Sequence, residues 1–248
     1  MTISMGSVAT IHQRFYNAEL PPITLEILDL ASLTTESVSD LIATLAGGTR
    51  LGIAASYGKK CALETLAFST ETRVLLIRVG AGSSKSKSVK ARKGILREKL
   101  LCNASLEKHG FFMERIAAAL RLDLGLLICN AFDIASDGDR RGSMAAYKAV
   151  VVRGRIEHSV NQSVVEEIFT EQPFILSRAN EFALRAWACF VGVQGVPSKP
   201  GVIDTSVKTV KARSKLLFTI FGFHLTPPSD RTWIGCANVS VMQIVWTP

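Results

Sequence analysis

Long apolar runs are missing from this chain. No segment stays apolar for the about 18 residues that a bilayer span requires. The longest candidate, LLFTIFGFHL (216–225), is too short, and IAAALRLDLGLLICNAF is cut by Arg121 and Asp123. No membrane association is expected. The opening MTISMGSVATIHQRF lacks a basic flank followed by an apolar core, so no secretory signal is expected either. Cysteine is sparse and scattered: Cys61, Cys102, Cys129, Cys189 and Cys236 stand singly, with no CxxC pair. That excludes a disulfide framework and a zinc site, and predicts buried reduced thiols in an intracellular protein, nuclear or cytoplasmic. Acid is in deficit, with 21 Asp and Glu against 29 Lys and Arg and a formal charge of +8. A balance of this size favours a polyanionic partner such as nucleic acid, but does not constrain the fold.

Several chemical signatures are also absent, although fragments imitate them. Strand-like RVLLIRV (73–79) runs into GAGSSKSKS (80–88), as a phosphate loop would. Wrapping phosphates needs a Gly directly before the Lys, and here Ser84 precedes Lys85. The segment therefore reads as a flexible loop. The DTS tripeptide at 204–206 stands before a helical pattern and reads as an N-cap, because Asp and Ser/Thr oxygens accept the orphan amide protons there. His109 has no second His or Cys at ligand spacing and reads as a turn residue. No metal and no cofactor are expected.

What the chain does have is 48% hydrophobic residues in 248, enough for one large domain with an appended segment. Residues 1–24 read as an irregular lead-in closed by Pro21-Pro22. TTESVSDLIATLAGG (34–48) predicts a helix, with Val38, Leu41, Ile42 and Leu45 at helical spacing and Thr34 or Thr35 as cap. Three strands follow, LGIAASYGKK (51–60), CALETLAFS (61–69) and RVLLIRV. VKARKGILREKLLCNASLEK (89–108) predicts a helix with a basic outer face. HGFFMERIAAALRLDLG (109–125) predicts an extended segment running into a helix, and LLICNAFDIAS (126–136) a buried strand. Helical patterns return at 160–172 and 177–193, then a Pro/Gly linker (193–202), a basic amphipathic helix (206–221) and a strand-like end (239–246). The order predicts an α/β domain with a mixed sheet flanked by helices, over residues 25–195, and a C-terminal extension, 196–248.

Seven cations fall between residues 85 and 99: Lys85, Lys87, Lys90, Arg92, Lys93, Arg97 and Lys99, with only Glu98 opposing them. A charge run on a helix is usually a solvated face. This density also suits a surface that meets a polyanion, so both readings stand.

Three short patterns occur in order along the chain. The first is Leu51-Gly52-Ile53 followed by Ala54-Ala55-Ser56. The second is Lys108-His109-Gly110, FFMER, and Ile116 four residues before Leu120. NAFDI (130–134) comes next, and the third is Leu176-Ser177 ahead of Phe182-Ala183-Leu184-Arg185-Ala186-Trp187. Over roughly residues 25–195 this resembles the DEDD 3′–5′ exonuclease family of the ribonuclease D and Werner type. In that family the first strand carries an Asp-x-Glu pair. The second motif is a Lys-x-Gly turn and an Asp opening a D-x-x-x-L helix, and the third is Tyr-Ala-Ala-x-Asp-Ala. The resemblance implies a ribonuclease H-like fold and a nucleic-acid partner.

The matching positions lack the family's chemistry. The four metal-binding places hold Ala54, Ser56, Ile116 and Ala186, and Phe182 stands where the tyrosine would. Cleavage by two metals needs clustered carboxylates to hold the ions about 3.5–4 Å apart. Glu114 lies two residues before Ile116, on another helix face, and Glu64 and Asp133 sit on other strands. The expectation is a catalytically degenerate exonuclease-like protein that binds single-stranded nucleic acid, RNA favoured, through Lys85, Lys87, Lys90, Arg92, Lys93 and Lys108. The alternative is a protein-interaction scaffold that docks a partner through residues 203–248. A residual metal-dependent exonuclease with unconventional ligands is third.

Overall fold

Strand β3 (Arg50–Tyr57) is apolar on both faces, as the run LGIAAS requires of a strand with helices above and below. It lies inside a seven-stranded sheet of order β1-β2-β5-β4-β3-β6-β7. The other strands are β1 (Val8–Ile11), β2 (Ile23–Asp29), β4 (Leu63–Ser69), β5 (Arg73–Arg78), β6 (Glu107–Gly110) and β7 (Ala131–Asp133). The computed structural model describes residues 6–45, 47–80, 87–134, 147–148, 150–152, 159–170 and 174–194. β3, β4 and β5 form an antiparallel meander, β6 joins β3 in parallel, and β7 joins β6 in parallel. β2 runs parallel to β5 and carries antiparallel β1 at the edge. This is the α/β mixed sheet flanked by helices that the sequence predicted.

One consequence of the topology places the site. β2, β3, β5, β6 and β7 all point the same way, so their C-terminal ends share one edge of the sheet.

Helices cover both faces. Helix α1 (Thr35–Ala43), α2 (Lys87–Ile95) and α3 (Met113–Ala119) pack Val38, Leu41, Val89, Met113 and Ile116 against Ile53, Leu66, Phe68 and Ile77. On the other face, α4 (Gln162–Phe169) and α5 (Ala179–Val191) pack Val165, Ile168, Phe182 and Trp187 against Ala54, Ala67, Val74 and Leu76. Neighbouring strand residues thus alternate between two cores, as a period of two demands. Thr34 caps α1 as expected, its Oγ1 accepting from Ser37 N at 3.2 Å.

Four expectations need correction. Residues 1–24 are not simply irregular, since Val8–Ile11 forms β1. Four residues are too few to carry a period, and β1 exists because β2 supplies its partners. The helix expected over 89–108 continues from α2 through wider turns at Leu96–Leu101 and then stops. Asn103 ends it with an Asx turn, its Oδ1 accepting from Ser105 N at 3.0 Å. The strand expected over 126–136 shrinks to Ala131–Asp133, because Asn130 takes a left-handed φ of 49° that breaks the extension. His109 is a strand residue, not a turn residue, stacked on Phe132 with ring centroids 5.0 Å apart. Residues 81–86 of the expected loop, the linker beyond Gln194, and the 196–248 extension with its helix and strand lie outside the described residues.

Candidate functional site

Chain geometry at the C-terminal edge is set by two close approaches. Gly52 lies under α5: a Cβ there would stand 2.0 Å from Ala186 O and 2.6 Å from Phe190 N. Gly110 ends β6, where a Cβ would meet Ile53 O and Met113 Sδ, each at 2.7 Å. The next turn holds Phe112 at a left-handed φ of 56°, and Met113 N donates to Asp133 Oδ2 at 3.1 Å. Asp133, on NAFDI, therefore caps the start of α3 and fixes where Ile116 falls.

These elements enclose a cavity of about 60 Å³. Its floor is the end of β3: Ile53, Ala54, Ala55 and Tyr57. Phe111, Phe112, Arg115 and Ile116 close one side; Tyr147, Phe169, Arg185 and Cys189 close the other. Ala54 and Ile116, from separate motifs, thus meet at one cavity. Ala186 is fully buried between Arg185 and Cys189 on α5, its carbonyl facing Gly52. Ser56 shares a face of β3 with Ala54, is buried, and does not line the cavity. Phe182 is buried against Phe174, with ring centroids 5.9 Å apart.

The aromatic side chains explain the small volume. Tyr147 stacks on Phe169 at 4.4 Å and meets Phe111 edge-on at 4.7 Å. The cavity is small beside the roughly 300–1,000 Å³ of a ligand pocket. Two guanidiniums border it. Arg115 lies 4.0 Å above the Tyr57 ring, and Arg185 donates to Thr170 O at 2.7 Å. Among the described residues that line it, none carries a carboxylate. Burial raises the Cys189 thiol to about 12, so it stays protonated. Among the described residues, no three His, Cys, Asp or Glu side chains group to hold a metal ion. This set of described residues does not fit a pair of divalent cations, which needs clustered carboxylates.

Nearby acids serve other ends. Glu64 Oε2 accepts from Phe174 N at 3.3 Å, and Asp133 is the α3 cap. The aromatic lining and both arginines were not foreseen as a site, although Phe111-Phe112 directly follows the Lys-x-Gly motif.

The basic residues divide. Lys90, Arg97 and Lys99 are exposed, and Arg92 is half-buried. Lys93 is also half-buried and donates to Leu124 O at 3.1 Å. Lys87 belongs to α2, and its side chain, like the whole of Lys85, lies outside the described residues. Lys108 is a correction. Expected on the binding surface, it is fully buried on β6 and donates to Asn103 O at 2.9 Å and Leu106 O at 2.7 Å. Desolvation lowers its pKa from 10.5 to about 8. Helix α2 packs near Leu30–Ser32, which follows β2.

No family model matches the chain, and no curated protein matches it. Among solved structures it is similar to Trypanosoma brucei RNase D, with 14% identity, a TM-score of 0.46, and coverage of 71% of this chain and 66% of that one. It is similar to the EXD2 exonuclease domain at 20% identity and a TM-score of 0.31, covering 40% of this chain and 50% of that one. For the Aedes aegypti Nibbler EXO domain the values are 11% and 0.39, with coverage of 64% and 82%.

Proposed function

We propose that this chain is a catalytically degenerate 3′–5′ exonuclease-like protein that binds single-stranded nucleic acid, with RNA favoured. The observation that carries the reading is an inverted charge at the strand ends. Where a two-metal nuclease concentrates carboxylates, the described residues lining this cavity include two arginines and no acid, and α2 carries exposed Lys90. A positive edge attracts phosphate and repels divalent cations. The closed aromatic lining leaves no slot for a nucleotide, so the strand lies across the edge and is not threaded into it.

The test is a salt series with labelled single-stranded RNA and DNA of one sequence. Counterion release gives log K a slope of about −0.7 per phosphate neutralised, so three to five contacts produce roughly −2 to −3.5. The double variant Lys90→Ala, Arg92→Ala should flatten that slope. Absence of binding at low ionic strength, or affinity indifferent to salt, would transfer the weight to the protein-scaffold reading.

A further inference from the structure

At the opposite edge of the sheet, where β6 and β7 begin, two free cysteines converge. Cys102 ends the wide turns after α2, and Cys129 lies just before β7. Backbone and side-chain bonds clamp the two segments together. Cys129 N donates to Leu101 O at 2.9 Å, and Asn130 Nδ2 donates to Ala104 O at 2.6 Å. The Cys102 thiol donates to Leu127 O at 3.3 Å, two residues before Cys129. Both cysteines are half-buried, unlike Cys189, and so are open to a small solute. The ammonium of Lys108 is close enough to interact electrostatically with both sulfurs.

We propose that Cys102 and Cys129 are a redox site, oxidised by a peroxide to a reversible disulfide that ties the end of the basic helix to the entry of β7. One thiolate attacks a peroxide oxygen, forming an S–O bond as the O–O bond breaks, and the departing hydroxide takes a proton to become water. The second thiolate then attacks that sulfur, the S–O bond breaks, and hydroxide leaves and is protonated to a second water. Two thiols lose two electrons, and hydrogen peroxide is reduced to two waters. Burial keeps the Cys102 thiol protonated, and the nearby Lys108 ammonium acts in the opposite sense. The clamped backbone holds the two segments side by side, as such a bridge requires.

The full chain, reduced and then exposed to hydrogen peroxide, is alkylated, denatured and digested with trypsin. The expected product is peptide 100–108 linked to peptide 122–140, lost on treatment with dithiothreitol. Cys102→Ser and Cys129→Ser should each abolish the link, and the wild-type oxidised form should melt several degrees higher than the reduced form. A parallel oxidation in urea gives the pairing expected of an unfolded chain. Full alkylation of both residues after peroxide, or a pairing pattern no different from that in urea, would overturn the proposal. The outcome is independent of nucleic-acid binding.

Discussion

Gly52 has no room for a side chain, because the α5 backbone lies where its Cβ would be. Neither contacting atom is the end of a flexible side chain, so Gly52→Ala must move α5 away from β3. Overpacking of this kind costs about 1–3 kcal/mol. Urea unfolding should show a loss near the top of that range, and an unchanged midpoint would mean that the helix does not sit so close. Lys108 gives a second residue-level prediction. Its folded pKa of about 8 is below the ordinary 10.5, so between those values the unfolded chain holds a proton that the folded chain has released. Stability from this group therefore rises with pH across that window. Cys189 acts in the opposite sense, since a thiol raised from 9.0 to about 12 keeps its proton in the folded state, and stability falls with pH between those values. The difference between wild type and Lys108→Met isolates the lysine. It should move in favour of wild type from pH 8 to 10.5, and a flat difference would show that the ammonium is not desolvated.

Helix α2 carries two kinds of cation that the sequence does not distinguish. Lys90 projects into solvent, whereas Lys93 satisfies the carbonyl of Leu124 at the end of the segment following α3. Lys93→Ala removes a charged hydrogen bond and should lower stability by about 1 kcal/mol. Lys90→Ala should stay within about 0.5 kcal/mol while weakening RNA binding. Equal stability of the two variants in thermal melts would remove the structural role assigned to Lys93. Elements with a strong local signal were legible: Thr34 and the helical spacing of Val38 and Leu41 located α1, and LGIAAS located an inner strand. β1 was not, because four residues carry no period and its hydrogen bonds come from β2, and β7 was legible only as part of a longer expected strand.

Across the whole molecule, the sheet gathers positions from three motifs, and this leads to a test of the degenerate site. No divalent-dependent degradation of a labelled strand is expected from the unmodified chain. Strand loss in Mn²⁺ that chelator prevents would refute the degenerate-site reading. Restoring Ala54→Asp, Ser56→Glu, Ile116→Asp and Ala186→Asp together would place acids at four buried positions. Unpaired buried carboxylates are strongly unfavourable. The quadruple variant should therefore melt lower in chelator and recover with Mn²⁺, as a ligand bound only by the folded state requires. A melting temperature unmoved by Mn²⁺ would mean that the four positions do not converge. Activity would further need Phe182→Tyr, whose hydroxyl can orient a water.

The sequence by itself determined the α/β class and the inner strand, because local periodicity and residue identity carry that information. Only the tertiary structure decided that Lys108 is buried, that Phe111, Tyr147 and Phe169 line the cavity, and that Arg115 and Arg185 lie beside them. Those outcomes depend on which distant segments meet at a sheet edge. Burial of a lysine on a four-residue strand follows from its neighbours Leu51 and Ala131 across the ladder, and nothing in Lys-His-Gly records them.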